Sequence, residues 1–293
     1  YRIEILELEE QGAGAAAVTF GYRMGMIVSG GGALFVASRY GWQAAYLFVG
    51  VLIFSGFLIS CFIGEKPFAE RPKHTAARWI KEAVIDPFAD FITRENWIII
   101  LLFVLVYKLP EAFAIAITTP FILKLGFSLE DVATVIKTFG TAATIVGAFF
   151  SGWLIAKTGI MRALLIGGIL QIISNFMFIV QARAGAQIDV LYATTAIEYF
   201  SSGIATGALV AYLGSLTKIN FTATQFALLT SIAALGRTVL SSRTGYIADE
   251  HGWEIFYVIS ALLGLPGVIL LYFLKEPTVF AESRRQAKEK GEL

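Results

Sequence analysis

Long apolar runs alternate with short polar joints along this chain. Eight runs stand out, at about 18–38, 43–63, 97–119, 131–156, 162–182, 188–217, 224–248 and 254–274. As helices rising about 1.5 Å per residue, runs of this length cross a hydrocarbon core of about 30 Å. The pattern predicts an all-α integral membrane protein with eight spanning helices. Most joints are brief, such as RYGWQ between the first two runs. The exception is 64–96, which carries Lys66, Arg71, Lys73, Arg78, Lys81 and Arg94. Within it, ARWIKEAVIDPFADFI brings Trp79, Ile80, Val84 and Ile85 near one side, which predicts a helix lying along the membrane surface. Residues 1–17 are too polar to span, and Glu7, Glu9 and Glu10 read as a solvated entry.

Composition narrows the class. Hydrophobic residues make up 57% of the chain and charged ones 15%, against about 25% charged in a soluble domain. The net charge of +1 gives no footprint for nucleic acid. The single cysteine, Cys61, excludes an intramolecular disulfide, and both histidines, His74 and His251, fall in polar connections. A His-ligated metal site or a Ser-His-Asp triad within the membrane is therefore not expected. No cofactor, metal or enzymatic role is predicted.

Loop charge sets the expected orientation. If 64–96 is cytoplasmic, the inner connections and tail hold fourteen Lys and Arg residues against three outside, Arg39, Lys124 and Arg183. The long loop, the C-terminus and the N-terminal end are predicted to face the cytoplasm. The organisation is then 1–63 with two spans, a central loop 64–96, six spans over 97–275, and a charged tail 276–293. Six spans after a long central loop match one half of a major facilitator transporter, built from two six-helix halves. The first half would contribute its last two helices. With no initial methionine, four further helices are expected before Tyr1.

Charges inside the apolar runs are the candidate chemistry, since one at mid-membrane costs about 2.5–3.5 kcal/mol even on an insertion scale. Lys108 and Glu111 sit mid-run, three residues apart and so on one helix face. They read either as a neutralised structural pair or as a polar site on a transport path; the second reading is preferred. Pro110 between them cannot donate to the carbonyl of Val106 and should kink the helix, a candidate hinge. Thr195, Glu198, Ser202 and Thr206 form a polar stripe that could line a cavity or only bond neighbouring helices, while Gly203 and Gly207 form a packing face. Gly21 and Gly25 repeat that small-residue spacing in the first run. Gln171 and Asn175, one turn apart, read as helix-to-helix glue. Lys137, Arg237 and, less centrally, Arg243 add positive charge. Basic side chains exceed acidic ones in the spans, which suits an anionic substrate.

GAGAAAVTFGYRMGMIVSGG, YKLPEAFAIAITTPFIL, RALLIGGILQIISN, FTATQFALLTSIAALGR and HGWEIFYVISALLGLPGVILLYFL together resemble the AmpG-type muropeptide permeases of Gram-negative bacteria, members of the major facilitator superfamily. The resemblance covers nearly the whole chain. It implies an inner-membrane permease that imports GlcNAc-anhydroMurNAc sugars and peptides by proton symport, for peptidoglycan recycling and, in some bacteria, β-lactamase induction. The eight spans would be the family's fifth to twelfth helices, in a monomer. Three departures stand out. The family's Tyr-Lys-Leu-Gly-Asp is here Tyr107-Lys108-Leu109-Pro110-Glu111, and its Phe-Glu-Asn is Ile197-Glu198-Tyr199. Its G-x-x-x-D-R-x-G signature keeps Gly152 and Gly159 but has Ala156 and Lys157 at the charged pair. On this reading Glu111 or Glu198 carries the coupling proton. Lys108, Lys137 and Arg237 meet substrate carboxylates or the two acids, and Tyr107 and Tyr199 stack on or hydrogen-bond sugar rings. A facilitator of the same fold for another solute (a sugar, acyl-CoA or drug) is the alternative.

Overall fold

The computed structural model describes residues 11–62, 81, 85–128, 131–217 and 222–274, and every regular element among them is a helix. The chain divides into two compact units, Leu6–Lys81 and Glu82–Leu293. The expected tail, most of the central loop and the Glu7–Glu10 entry lie outside the described residues.

In the first unit, α1 (Gln11–Met26) passes through a wide π-type turn, Ile27–Gly32, into α2 (Ala33–Phe62). Within α2, Gly41 takes φ 82° and ψ 168°, a region that only glycine enters cheaply. The chain doubles back there: the Phe48 ring lies 3.5 Å from where a Cβ on Gly32 would stand. The RYGWQ joint is thus a turn, as its composition predicts. Gly21 and Gly25 are not packing sites among the described residues, since a Cβ on either would meet nothing within 4 Å.

The second unit begins with α3 (Asp86–Ile92), the described part of the expected surface helix. One side of it is docked on the bundle. Phe91 is buried in the bundle core, and Gln225 donates to the Pro87 carbonyl at 3.2 Å. Arg94 donates to Asp90 (3.2 Å), to Gln225 (3.2 Å) and to the Leu216 carbonyl, which fastens this end.

Then follow α4 (Trp97–Val106), α5 (Leu109–Lys124), α6 (Gly140–Thr158, entered through a π-type turn Val132–Phe139), α7 (Ile160–Ala184) and α8 (Ile188–Ser215). The last four are α9 (Thr222–Leu240), α10 (Thr244–His251), α11 (Trp253–Leu262) and α12 (Leu265–Tyr272). Ser128 and Asp131 cap the entry to α6 reciprocally: Asp131 Oδ2 accepts from the Ser128 hydroxyl (2.7 Å) and amide (2.8 Å), while Asp131 N donates to Ser128 Oγ at 3.1 Å. The Ser128 bonds, the hydroxyl's first, hold the Asp131 carboxyl below the usual carboxylate range.

Among the described residues, six helices are long and apolar enough to cross a membrane, the pairs α4–α5 and α11–α12 each counting as one, where the sequence predicts eight. The predicted spans 18–38 and 224–248 are not among the six, and both are interrupted. The glycine run Gly30–Gly32 falls in the π-type turn. In the other, α9 gives way to a 3₁₀ turn at Ser241–Arg243. Side chains there compete for backbone carbonyls: Ser241 bonds the Arg237 carbonyl, Ser242 that of Val239 (2.7 Å) and Thr244 that of Ser241 (2.9 Å).

The interior of the second unit is layered. One apolar cluster gathers Phe103, Tyr107, Leu164, Leu209, Tyr212 and Leu271; the other gathers Phe113, Phe121, Phe178, Leu191, Phe256 and Tyr257. Along α7 and along α8, the polar residues Gln171, Ser174, Asn175 and Glu198 fall between the two layers. Glu198 is about 15 Å along α8 from its start, at about 1.5 Å per residue.

Candidate functional site

The polar layer is built around a broken helix. Pro110 has no N–H to close a bond to Val106, and α4 stops there. Tyr107 and Lys108 form a turn, with Lys108 at φ −99° and ψ 11°, and Pro110 sits in the first turn of α5. Tyr107 anchors the break. It is 2% exposed, and its hydroxyl donates to the Leu164 carbonyl at 2.8 Å. A Cβ on Gly167 would come within 3.1 Å of that hydroxyl, and one on Gly267 within 3.1 Å of the Tyr107 Cα. The glycines are what let α7 and α12 close over it. Tyr107 is therefore packed in the core, with its hydroxyl already bonded, where the sequence reading offers it as a ring for sugars.

The break turns Lys108 inward. Its ammonium pairs with Glu111 and donates to Thr206 Oγ1 on α8 at 2.9 Å. Glu111 Oε2 also accepts from Gln171 Nε2 on α7 at 2.9 Å. Both members of the pair keep about a seventh of their side-chain surface exposed, 14% and 15%. Glu198 is sealed more deeply, at 2%. Its Oε2 accepts from Ser174 Oγ on α7 at 2.5 Å, and its Oε1 is buried with no hydrogen-bond partner among the described residues. Gln171 and Ser174 lie one turn apart on α7 and touch one acid each. Two carboxyls and one ammonium thus share a chain of contacts that runs Thr206, Lys108, Glu111, Gln171, Ser174, Glu198. If both acids are ionised, the set carries one net negative charge. A proton or a cationic group would balance it.

A second break lies beside the first. Between α11 and α12 the chain turns at Leu263 and Gly264, with Pro266 in the first turn of α12. Ser260 donates to the Pro110 carbonyl at 3.0 Å, and a Cβ on Gly264 would stand 2.9 Å from Pro110 Cγ. The two proline-broken helices meet at their interruptions.

Of the predicted site residues, the structure brings together Lys108, Pro110, Glu111 and Glu198. Thr195, Ser202 and Thr206 share their inward face, buried or half-buried. Tyr199 points elsewhere: its ring packs 3.1 Å from where a Cβ on Gly140 would be, against the start of α6. Lys137 lies exposed in the π-type turn. Arg237 is also exposed, although its neighbour Gly236 crosses α4 so closely that a Cβ would stand 2.5 Å from the Leu105 carbonyl oxygen. Neither cation touches the cluster. Gln171 was legible as polar but is more than glue, since it holds Glu111. Ser174 carried no signal of its own, because serines in apolar helices routinely bond their own backbone.

The family model for the Major Facilitator Superfamily matches residues 3–239 and again residues 138–292. The chain is 39% identical over 280 residues to the anhydromuropeptide permease of Escherichia coli strain K12, covering 94% of this chain and 56% of that protein. It is 32% identical over 279 residues to the putative transporter AmpG 4 of Rickettsia felis, covering 94% of this chain and 67% of that one. The corresponding protein of Rickettsia conorii is 32% identical over 277 residues, with 93% and 67% covered. The chain thus spans little more than half the length of the Escherichia coli relative. Matched along its length by the superfamily model, and covering two thirds of transporters to which it is nearly one-third identical, the chain belongs to the major facilitator superfamily, among its AmpG-type transporters.

Proposed function

We propose that the chain forms part of a bacterial inner-membrane permease that imports anhydro-muropeptides by proton symport for peptidoglycan recycling. The eight apolar runs act as the family's helices five to twelve, the long loop and C-terminus face the cytoplasm, and the protein works as a monomer. The substrate class rests on the relative named an anhydromuropeptide permease. One observation carries the coupling: a sealed carboxyl, Glu198, lies next in a hydrogen-bonded chain to a partly open Lys108–Glu111 pair between two apolar layers.

The chemistry follows from charge balance. With Glu111 ionised, Lys108 is occupied. A proton arriving on the acids releases the ammonium, which then meets a carboxylate of an anionic muropeptide. Returning the proton to the other side lets Glu111 reclaim Lys108 and expel the substrate. The turn at Tyr107–Lys108 lets the cation move without bending an intact helix.

The test is uptake of labelled anhydro-muropeptide in cells carrying Glu111→Gln or Glu198→Gln in the gene that encodes this chain. Proton-driven accumulation is expected to disappear in at least one variant, while unlabelled anhydro-muropeptide competes with the wild type. Retained accumulation in both variants sinks the coupling assignment. Failure of anhydro-muropeptide to compete sinks the substrate class.

A further inference from the structure

The geometry points to Ser174 as a two-position hydroxyl switch that seats the proton on Glu198 and reports it, through Gln171, to the Lys108–Glu111 pair. The inference rests on the proton-coupling role proposed above for Glu198.

Ser174 Oγ stands 2.5 Å from Glu198 Oε2 and 2.9 Å from the Gln171 carbonyl oxygen. A hydroxyl carries one hydrogen, so it can donate to only one of these acceptors at a time. With Glu198 ionised, the hydrogen goes to the carboxylate, the stronger acceptor. When a proton settles on Oε2, the new O–H donates to Ser174 Oγ, and the serine hydrogen rotates to the Gln171 carbonyl. The proton gained by Glu198 is the only one added, and no heavy atom has to move. Both states keep the carboxyl hydrogen-bonded in a site with 2% exposure.

No other described side chain offers this. Glu198 Oε1 has no partner among the described residues, and Ser174 supplies the hydrogen bond that Oε2 accepts. The charged or titratable groups facing Glu198 from neighbouring elements are Lys108 at the start of α5 and Tyr257 on α11. Both remain in place when Ser174 is altered. Gln171 transmits the change. Its carbonyl already accepts from Asn175 Nδ2 at 2.9 Å, and its side-chain amide donates to Glu111 Oε2 at 2.9 Å. Protonating Glu198 therefore adds a hydrogen bond to the backbone of the residue whose side chain holds Glu111. Ser174 is a positioning residue: it acts on the proton carrier and does not touch the substrate.

The test uses membrane vesicles from cells carrying Ser174→Ala, Ser174→Thr, Ser174→Cys or Glu198→Gln in the native gene. Two quantities are read with labelled anhydro-muropeptide: accumulation driven by a proton gradient across a pH series, and counterflow exchange without a gradient. Ser174→Ala is expected to lower accumulation about tenfold or more, as for loss of a hydrogen bond to a charged group, and to displace its pH profile. Counterflow persists. Ser174→Thr restores the profile because it returns the hydroxyl, and Ser174→Cys falls between because a thiol is a weak donor and acceptor. A Ser174→Ala protein that accumulates with the wild-type profile overturns the switch. If that variant does not reach the membrane, Ser174→Cys with a wild-type profile overturns it instead. Glu198→Gln separates the two ideas: accumulation retained there sinks the proton-carrier role itself, whereas its loss with Ser174→Ala unaffected sinks only the serine switch.

Discussion

Lys108 holds two partners of different kinds, the Glu111 carboxylate and the Thr206 hydroxyl, from a backbone turn and not from a helical face. A pair this enclosed is costly to break. Lys108→Met leaves Glu111 unpaired in the polar layer and is expected to destabilise the protein by about 3 kcal/mol, the low end for buried pairs because some exposure remains. Removing both charges with Lys108→Met and Glu111→Leu should recover most of that stability and none of the uptake. Thermal unfolding in detergent and transport, measured on the same preparations, check both. A double variant as unstable as the single one would mean that the pair is not the source of the loss. These two residues and Glu198 were legible in the sequence because a charge in an apolar run is expensive and needs a reason. Tyr107 was not. Its ring reads equally well as a sugar platform or as filler, and only the glycines at 167, 168 and 267 closing over it decide. Lys137 and Arg237 lie exposed and away from that cluster, which the sequence did not show. Counting charges in a run does not say which side of the helix faces inward.

Among the elements, α6 and α8 make the tightest joint. A Cβ on Gly203 would stand 2.3 Å from the Thr144 carbonyl oxygen, and one on Gly147 would stand 2.2 Å from that of Phe200. Each helix lends the other its missing side chain. Gly203→Ala must push backbone from backbone, and is expected to cost about 1–3 kcal/mol or more. Unfolding temperature in detergent reads this directly, and an unchanged value would show that the joint can open without penalty. The small-residue spacing at Gly203 and Gly207 announced this face, whereas the same spacing at Gly21 and Gly25 met no neighbour. Spacing records opportunity, and packing requires a partner at the right depth. The interruption at Ser241–Arg243 was invisible to hydropathy, which weighs side chains but not the carbonyls that serine and threonine hydroxyls divert.

For the molecule as a whole, turns of one shape recur. Gly41 (φ 82°, ψ 168°), Gly159 (φ 89°, ψ 162°) and Gly252 (φ 80°, ψ 167°) each end one helix and start the next. Gly41 and Gly252 both open the sequence G-W-x-x-x-Y, at Trp42 and Tyr46 and at Trp253 and Tyr257. The superfamily model's two overlapping matches agree with such an internal echo. Orientation is a question at this scale. If the basic joints face the cytoplasm, a cysteine placed at exposed Ala186 in a Cys61→Ser background should react with an impermeant thiol reagent on intact spheroplasts. One placed at Lys157 should react only after the membrane is opened. The reverse result inverts the orientation. The helical, membrane-spanning character was readable from the runs alone. The layering of the interior was not, because it depends on which turns of five helices come to lie at one depth.

The meeting of the two broken helices has a mechanical consequence. The α6–α8 pair, with no room between its backbones, behaves as a stiff board. The helices α4–α5 and α11–α12 are interrupted at Tyr107–Lys108 and Leu263–Gly264, which lie against each other through Pro110. Two joints in contact bend as one pivot, and that pivot carries the Lys108 charge. Any change in the electrostatic load on the ammonium is therefore applied where the helical bond from residue 110 to Val106 is already missing, and no intact hydrogen bond there has to break for the two helix ends to turn.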